Sequence, residues 1–285
     1  MGYRVDLHLH TTASDGRFSP GELVAKAAGA GLEIISITDH DTLDGIAPAL
    51  AAARKYDNLK VIQGVEISTD FKEGDAHVLG YFVDNKRPEL EATLKGMRRA
   101  RLERAQGMVA KLAEMKMPLE WRRVREIAGD GSVGRPHIAQ AMLEKGYIAN
   151  FDEAFHKYIS RGGPAYVERI KMTPSQAVGL ILESGGLPVL AHPLTIPQPE
   201  ELIRELKDAG LVGLEAYYDG FPAELVNQVL GYAQDYDLIA TGGSDFHGLS
   251  GHEEVEPGQA AVPYEVAENL IALARDRGCP GAELL

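Results

Sequence analysis

Apolar and polar positions alternate along the chain with two different periods. Seven short, mostly apolar runs predict strands, at residues 3–9, 33–38, 61–67, 77–83, 187–191, 211–216 and 238–242. Between several of them, apolar residues recur every three or four positions, which predicts helices in "SPGELVAKAAGAG", "GIAPALAAARKY", "TPSQAVGLILESGG" and "EELIRELKDAG". Ser19 is expected to cap the first helix, with Pro20 at its first position. The strand–helix–strand order predicts a parallel α/β sheet, either a barrel or a doubly wound sheet.

The alternation stops between Pro88 and about Pro164, where only helical periodicity remains. We expect a long charged helix near residues 88–116 and shorter ones near 119–128, 135–146 and 151–159. This part of the chain is basic: from Lys86 to Lys171 there are 18 Lys and Arg against 11 Asp and Glu. We therefore predict an inserted helical subdomain over residues 87–164, within an α/β domain formed by residues 1–86 and 165–285.

Composition and charge narrow the functional classes. The 285 residues are 45% hydrophobic and 25% charged, as is typical of a globular protein. The net charge of −13 argues against a generic nucleic-acid coat protein. Cys279 is the only cysteine, so any metal site must use nitrogen and oxygen ligands. No apolar run is long enough to cross a bilayer, and the first residues resemble a polar strand rather than a signal peptide, so a cytoplasmic location is expected.

Histidine, aspartate and glutamate recur where the predicted strands end. In "DLHLH", His8 and His10 share one face of a strand because side chains alternate. Further candidates lie in "ITDHDT", "GVEIS", "DAHVLGY", "AHP" and "GSDFH", namely His40, Glu66, His77, His192, Asp245 and His247. The carboxyl ends of parallel strands meet at one rim, so we expect these side chains to line a single cup.

A ligand set of imidazoles and carboxylates without thiolates suits Zn, Mn or Fe. It is larger than one ion can use, which indicates two or three divalent ions. Clustered ions of this kind activate water and stabilise displaced oxygens, so hydrolysis of a phosphate ester is the expected chemistry.

In order along the chain, "HLHTTASDG", "ITDHDT", "GVEIS", "AHP" and "GSDFH" resemble the motifs of the PHP family, named for polymerase and histidinol phosphatase. The resemblance implies a distorted (β/α)7 barrel with a trinuclear centre. It assigns His8, His10, Glu66 and Asp245 to one ion, Glu66, His77 and His192 to a second, and Asp15, His40 and His247 to a third. Many members have a histidine where this chain has Asp15, which favours Mn or Mg at the third site.

Within the family, "TTASDG", "GRPHIA" and "YISRGGPAYV" resemble a branch that acts on nucleotides. This implies hydrolysis of the 3'-phosphate of nucleoside 3',5'-bisphosphates by metal-bound hydroxide, or trimming of short 5'-phosphorylated RNA, and the resemblance leaves open which of the two substrates dominates. His192, His247 and Asp245 are the candidate catalytic residues, with His192 or His247 protonating the leaving oxygen. A basic helical segment would bind the second phosphate, for which the candidates are Arg135, His137 and Lys171.

Two alternatives remain. One is a phosphatase for a small amino-alcohol phosphate such as histidinol phosphate, and the other is a metal-binding or nucleotide-binding module without turnover. The expected partner is a small anionic nucleotide or a short RNA. Neither a membrane nor a stable protein partner is indicated.

Overall fold

In the described part of the chain, seven strands form one sheet in which spatial order follows chain order. They are β1 (Val5–Leu9), β2 (Ile34–Ile37), β3 (Lys60–Phe71), β4 (Gly74–Tyr81), β5 (Leu187–Leu190), β6 (Gly213–Tyr218) and β7 (Ile239–Gly243). The structure is a computed structural model that describes residues 4–71, 74–129, 133–168, 172–218, 220–248 and 255–285. All seven strands lie where the apolar runs predict them, to within a few residues.

The sheet is nearly closed, because β1 and β7 come together just beyond their carboxyl ends. The backbone N–H of His10 donates to the carbonyl of Phe246 at 3.1 Å. The approach depends on Gly243, since a Cβ atom there would lie 2.4 Å from the backbone nitrogen of His8. The predicted α/β fold with a distorted seven-stranded barrel is confirmed.

Strand β4 departs from the parallel arrangement that the strand–helix–strand order predicts. It is antiparallel to both β3 and β5, whereas the other neighbouring pairs are parallel. Only two positions separate β3 from β4 in the sequence, which is too short for a crossover helix but sufficient for a hairpin. The amino end of β4 therefore lies beside the carboxyl end of β3, and His77 pairs with Ser68.

Ten helices are found among the described residues. They are α1 (Pro20–Gly29), α2 (Ile46–Ala53), α3 (Pro88–Glu114), α4 (Trp121–Ala128), α5 (Arg135–Glu144), α6 (Phe151–Ala154), α7 (Pro174–Glu183), α8 (Pro199–Ala209), α9 (Ala223–Asp235) and α10 (Tyr264–Asp276). A π-helical turn, Phe155–Ile159, follows α6. The expected cap of α1 is present: Ser19 accepts from the backbone of Glu22, whose side chain accepts in return, and Pro20 is the first helical residue.

The chain divides into two compact units, Met1–Ala92 with Met172–Leu285 and Thr93–Lys171. The first, which we call the barrel unit, buries β1 residues in two apolar clusters, with Leu7 in one and Leu9 in the other. The second, the helical unit, has its own buried core, which includes Met108, Leu112 and Ile138. Among the described residues, no helix is both long and apolar enough to span a bilayer.

Candidate metal centre

The barrel unit brings the predicted ligands to one rim. His8 lies in β1 and His10 directly follows it, while His192 and Asp245 come two residues after β5 and β7. Glu66 lies in the middle of the long strand β3. His77 joins them from the opposite direction along the chain because β4 is antiparallel.

Glu66 is the centre of the cluster and is almost fully buried, at 1% exposure. We call the Glu66 pole the group formed by Glu66, His8, His10, His40, His77 and His192. The Oε2 atom of Glu66 lies 3.1 Å from His8 Nε2, 3.2 Å from His10 Nε2 and 3.1 Å from His40 Nδ1. Its Oε1 atom lies 2.8 Å from His77 Nδ1 and 3.2 Å from His192 Nε2. One carboxylate thus faces five imidazoles carried by four segments: β1 and its end, the turn after β2, strand β4 and the turn after β5.

A second group gathers around Asp15, which lies on the loop between β1 and α1. We call the Asp15 pole the group formed by Asp15, His10, His40 and His247. Nitrogen–oxygen distances are longer here: 3.8 Å from His10 Nδ1, 3.8 Å from His40 Nε2 and 3.5 Å from His247 Nε2. His10 and His40 therefore each turn one ring nitrogen toward Glu66 and the other toward Asp15.

Asp245 closes the cup from the β7 side. Its Oδ1 atom lies 2.9 Å from His10 Nε2 and 3.2 Å from His8 Nε2. Its Oδ2 atom accepts a hydrogen bond of 2.9 Å from the Tyr218 hydroxyl. The Tyr218 hydroxyl therefore orients the Asp245 carboxylate.

The donor atoms fit divalent cations. Among the described residues, both ring nitrogens of His10, Nδ1 of His40 and one oxygen each of Asp15 and Asp245 are buried without a hydrogen-bond partner. Buried polar atoms are ordinarily satisfied, so a cluster of such atoms pointing at one another calls for another group between them. Imidazole and carboxylate atoms that share one focus are what a cation requires.

Three sets of side chains in the described residues bring their ligand atoms within 4.8 Å of one another. They are His8, His10, Glu66 and Asp245; His10, Asp15, His40 and His247; and His40, Glu66 and His77. His192 belongs to none of the three, although its Nε2 atom is close to Glu66. The first set coincides with the ligands that the resemblance assigned to one ion.

A PHP domain model matches residues 6–161 of the chain, more than half of its length. The chain belongs to the PHP family. A 5'-3' exoribonuclease of Haemophilus influenzae is 33% identical over 87% of this chain and 91% of its own. A 3',5'-nucleoside bisphosphate phosphatase of Chromobacterium violaceum is 32% identical over 95% of this chain and 94% of its own.

The fold is also found in a solved crystal structure. A protein of Bifidobacterium adolescentis, described as a metal-dependent phosphoesterase, superposes with a TM-score of 0.84 at 28% identity, covering 94% of this chain and 95% of that one. As a PHP protein with these relatives, the chain is a hydrolase of phosphate esters. The clustered His, Asp and Glu groups of the rim fit the binding of divalent metal ions.

Burial and opposite charges set the protonation of this PHP site. Burial alone would raise the pKa of Glu66, yet His40 and His8 hold it well below its usual range. Burial likewise opposes the charged form of His10, but Asp245 and Glu66 outweigh it and raise the His10 pKa to about 10. For His40, burial dominates and lowers the pKa to about 3. Without cations, protons on some imidazoles balance the carboxylates, so cation binding must displace protons.

The backbone is strained where two of these side chains are presented. His192 has φ of 29° and Asp245 has φ of 52°, in the left-handed region that residues other than glycine seldom adopt. Each follows the end of a strand, so the chain turns sharply while the side chain still faces the cup. Such strain is typical of functional positions and persists only where surrounding contacts enforce it.

Two buried carboxylates belong to the site but were not predicted. Asp6 accepts from the backbone of His8 at 3.3 Å and from the backbone and hydroxyl of Ser244 at 3.0 and 2.7 Å, which joins β1 to the end of β7. Glu215, in β6, contacts His8 and His192. The only signal in the sequence is a single acidic residue within an apolar strand.

Two of the three predicted phosphate-binding residues, Arg135 and His137, lie in the helical unit rather than in the barrel unit. Arg135 begins α5, with its guanidinium carbon 5.7 Å from the centre of the Phe155 ring. His137 is only 7% exposed, and its Nδ1 atom accepts from the backbone N–H of Gly134 at 2.9 Å, a contact that supports the start of the helix. Lys171 lies outside the described residues. Their role in substrate binding stays a prediction from the sequence.

Proposed function

We propose that this PHP phosphoesterase removes the 3'-phosphate of nucleoside 3',5'-bisphosphates. The observation that carries the proposal is the likeness to the Chromobacterium violaceum bisphosphate phosphatase, which extends over nearly the full length of both chains and so includes the helical unit. The net charge of +7 between Lys86 and Lys171 also favours a doubly phosphorylated ligand over a singly phosphorylated one.

We assign the metal ligands as the resemblance places them. One divalent ion would be held by His8, His10, Glu66 and Asp245; a second by Glu66, His77 and His192; and a third by Asp15, His40 and His247. Bound there, the ions would act as Lewis acids and would lower the pKa of a coordinated water, so that hydroxide is available at neutral pH. Mn is our preferred ion, because the set mixes imidazole with carboxylate and contains no sulfur.

The chain's own groups supply positioning and proton transfer. Tyr218 fixes one oxygen of Asp245, which leaves the other directed at His8 and His10. We propose that whichever of His192 and His247 is not engaged as a metal ligand protonates the leaving oxygen. Their side chains keep 12% and 17% exposure, so both remain reachable from the substrate side.

An aromatic pair beside the cup offers a surface for the base. The Tyr218 ring lies 5.2 Å from the His192 ring, and Phe221 packs edge-on against Tyr218 at 5.1 Å. The side chains of Tyr218 and Phe221 are half-buried, so part of each ring remains exposed to solvent. We propose that the nucleobase stacks here, about one sugar away from the reacting phosphate.

A second candidate activity is removal of nucleotides from the 5' end of short RNA. It is favoured by the Haemophilus influenzae 5'-3' exoribonuclease, which is as similar to this chain as the phosphatase is. The same site chemistry serves both reactions, because each breaks a phosphate ester on a nucleotide.

The deciding experiment compares substrates on one preparation. The chain is supplied with Mn and incubated separately with 3'-phosphoadenosine 5'-phosphate, a short 5'-phosphorylated RNA and histidinol phosphate. We expect the first to give inorganic phosphate and adenosine 5'-phosphate with the highest kcat/KM. Preference for RNA would support the second candidate, and preference for histidinol phosphate would contradict both. Turnover of none would contradict both candidates and point to a different phosphate ester as the substrate. The Glu66→Gln variant controls for contaminating phosphatases.

A further inference from the structure

Glu215 is a fully buried carboxylate that no part of the proposed metal set uses. Its residue exposure is 0%, at the centre of strand β6. Its Oε1 atom lies 2.8 Å from His8 Nδ1, and its Oε2 atom accepts from the backbone N–H of His192 at 2.8 Å. We propose that Glu215 is a positioning residue that orients two metal ligands at once, an inference that rests on the proposed roles of His8 and His192.

The contact with His8 selects which ring nitrogen is available to a cation. A carboxylate can only accept hydrogen bonds, so His8 Nδ1 carries the proton that faces Glu215. The Nε2 atom of His8 then points at Glu66 and Asp245, from which it lies 3.1 and 3.2 Å away. A histidine ligand held through its other nitrogen by a carboxylate is both oriented and more basic.

The contact with His192 acts on the backbone instead. His192 has a left-handed φ of 29°, and it is the residue at which the chain turns away from β5. The hydrogen bond from its N–H to Glu215 holds this strained conformation in place. The His192 imidazole is thereby kept near Glu66, with Nε2 3.2 Å from Oε1. One side chain in β6 therefore couples a ligand from β1 to a ligand that follows β5.

Replacement of Glu215 by the isosteric glutamine separates orientation from packing. If the amide oxygen accepts from the His192 backbone, the NH2 group must face His8 Nδ1. His8 can then accept only with Nδ1 unprotonated, which places the proton on Nε2, where it excludes a cation. Volume is unchanged, so a purely structural role predicts no loss of metal affinity.

The experiment measures Mn affinity by competition with a fluorescent chelator, on the wild type, Glu215→Gln and Ser36→Ala. Ser36 is a buried polar residue of β2 whose hydroxyl donates to the carbonyl of Ile62, so its variant controls for loss of any buried hydrogen bond in the barrel. We expect Glu215→Gln to weaken Mn binding by about 10- to 100-fold, the usual effect of losing a ligand's hydrogen-bond partner, and Ser36→Ala to leave it unchanged. Circular dichroism of the metal-free chains verifies that each variant is folded.

A second measurement needs no folded variant at position 215. In wild-type chain loaded with Zn and labelled with 15N-histidine, His8 should show a protonated Nδ1 and a metal-bound Nε2. Unchanged Mn affinity in Glu215→Gln, or a metal-bound Nδ1 at His8, would overturn the inference while leaving the metal centre in place. A wild-type chain that takes up no metal would overturn the proposed metal centre, and this inference with it.

Discussion

Glu66 and Asp15 are each surrounded by imidazoles, but the imidazoles lie at different distances from the two carboxylates. The nitrogen–oxygen distances are 2.8–3.2 Å at the Glu66 pole and 3.5–3.8 Å at the Asp15 pole. Glu66 lies inside a long strand and its side chain is 1% exposed, whereas the Asp15 side chain is 11% exposed and comes from a loop. We expect two tightly held metal ions at the Glu66 pole and one more readily exchanged metal ion at the Asp15 pole.

The difference follows from what supports each carboxylate. Glu66 is fixed by pairing on both sides, with Leu79 in β4 and through the bridge with His40. The loop that carries Asp15 is held by hydrogen bonds from Thr11 and Ser14 to Asp39, at 2.6–2.7 Å. Strand-borne ligands are placed more exactly than loop-borne ones, and the comparison suggests that binding strength follows this placement.

The largest effect is expected for Glu66→Gln. The substitution keeps the volume but removes the charge that five imidazoles share, so the ions of the Glu66 pole lose their common ligand. We expect kcat/KM to fall by about 1,000-fold or more, as for loss of a main electrostatic contributor to catalysis. Elemental analysis should show loss of Mn, and added Mn should not restore activity. Glu33→Gln, at an exposed pair with Arg4, is the matched control and should behave as the wild type.

Gly243→Ala tests whether metal binding at the Glu66 pole depends on the close approach of β1 and β7. The added Cβ would lie 2.4 Å from the backbone nitrogen of His8 and 2.5 Å from its Cβ, so β1 and β7 must move apart. We expect a loss of about 1–3 kcal/mol in the free energy of unfolding, as for overpacking, and weaker Mn binding. Gly231→Ala in α9 meets nothing within 4 Å and should instead stabilise by about 0.5–1 kcal/mol. Urea denaturation with and without Mn measures the stability of each variant and its stabilisation by Mn. A Gly243→Ala variant as stable as the wild type would show that the barrel closes with a side chain at this position.

Asp15→Asn probes the looser pole. The amide is a poor ligand for a cation, so we expect activity at limiting Mn to fall about 10-fold, the low end for weakening a metal site. Because the Glu66 pole stays intact, excess Mn should restore most of the activity. Restoration in Asp15→Asn but not in Glu66→Gln would establish the difference between the poles. A loss that no Mn concentration reverses would mean that the two poles bind as one unit.

Much of the fold and of the site could be predicted because most of the predicted ligands lie at or just beyond a strand end, where the apolar period breaks; Glu66 and His77, inside β3 and β4, and Asp15, on a loop, are the exceptions. His8 is visible in this way because it lies between Leu7 and Leu9, and His40 and Asp245 because each closely follows a predicted strand. The antiparallel direction of β4 was not predicted, because the predicted strands leave a gap from 67 to 77, whereas in the structure only two positions separate β3 from β4. Helix α10 is absent from the sequence-based predictions although its buried residues follow a helical period, whereas α9 buries only two residues and gives little signal.

Residues that act through other residues were not predictable. Glu215 contacts a histidine that lies 207 positions earlier, and a single glutamate in an apolar strand gives no indication of its partner. Asp6 shares a strand face with His8, yet its partners Ser244 and Gly258 lie at the far end of the chain. Such contacts exist only after the barrel closes, so local patterns cannot specify them.

Arg135→Ala changes a residue outside both poles. If Arg135 binds the second phosphate, its loss should raise KM about 10-fold for a nucleoside 3',5'-bisphosphate and leave a nucleoside 3'-monophosphate unaffected, in line with a charged hydrogen bond. Mn affinity should not change. Arg99→Ala, at an arginine that is 81% exposed and paired with Glu103, controls for a general effect of the basic helical unit. Equal losses in both variants would show that net charge, not Arg135, attracts the substrate.

The smallest effect is expected for Phe221→Ala. Loss of the aromatic surface should raise KM for 3'-phosphoadenosine 5'-phosphate by roughly 2- to 10-fold, the range for one aromatic pair, with kcat and Mn affinity unchanged. A substrate without a base, such as p-nitrophenyl phosphate, should be hydrolysed as by the wild type, because only the base would stack on Phe221. Phe221→Tyr keeps the ring and should retain the wild-type KM. An equal rise in KM for both substrates would mean that Phe221 supports Tyr218, and through it Asp245 and the Glu66 pole, rather than the base.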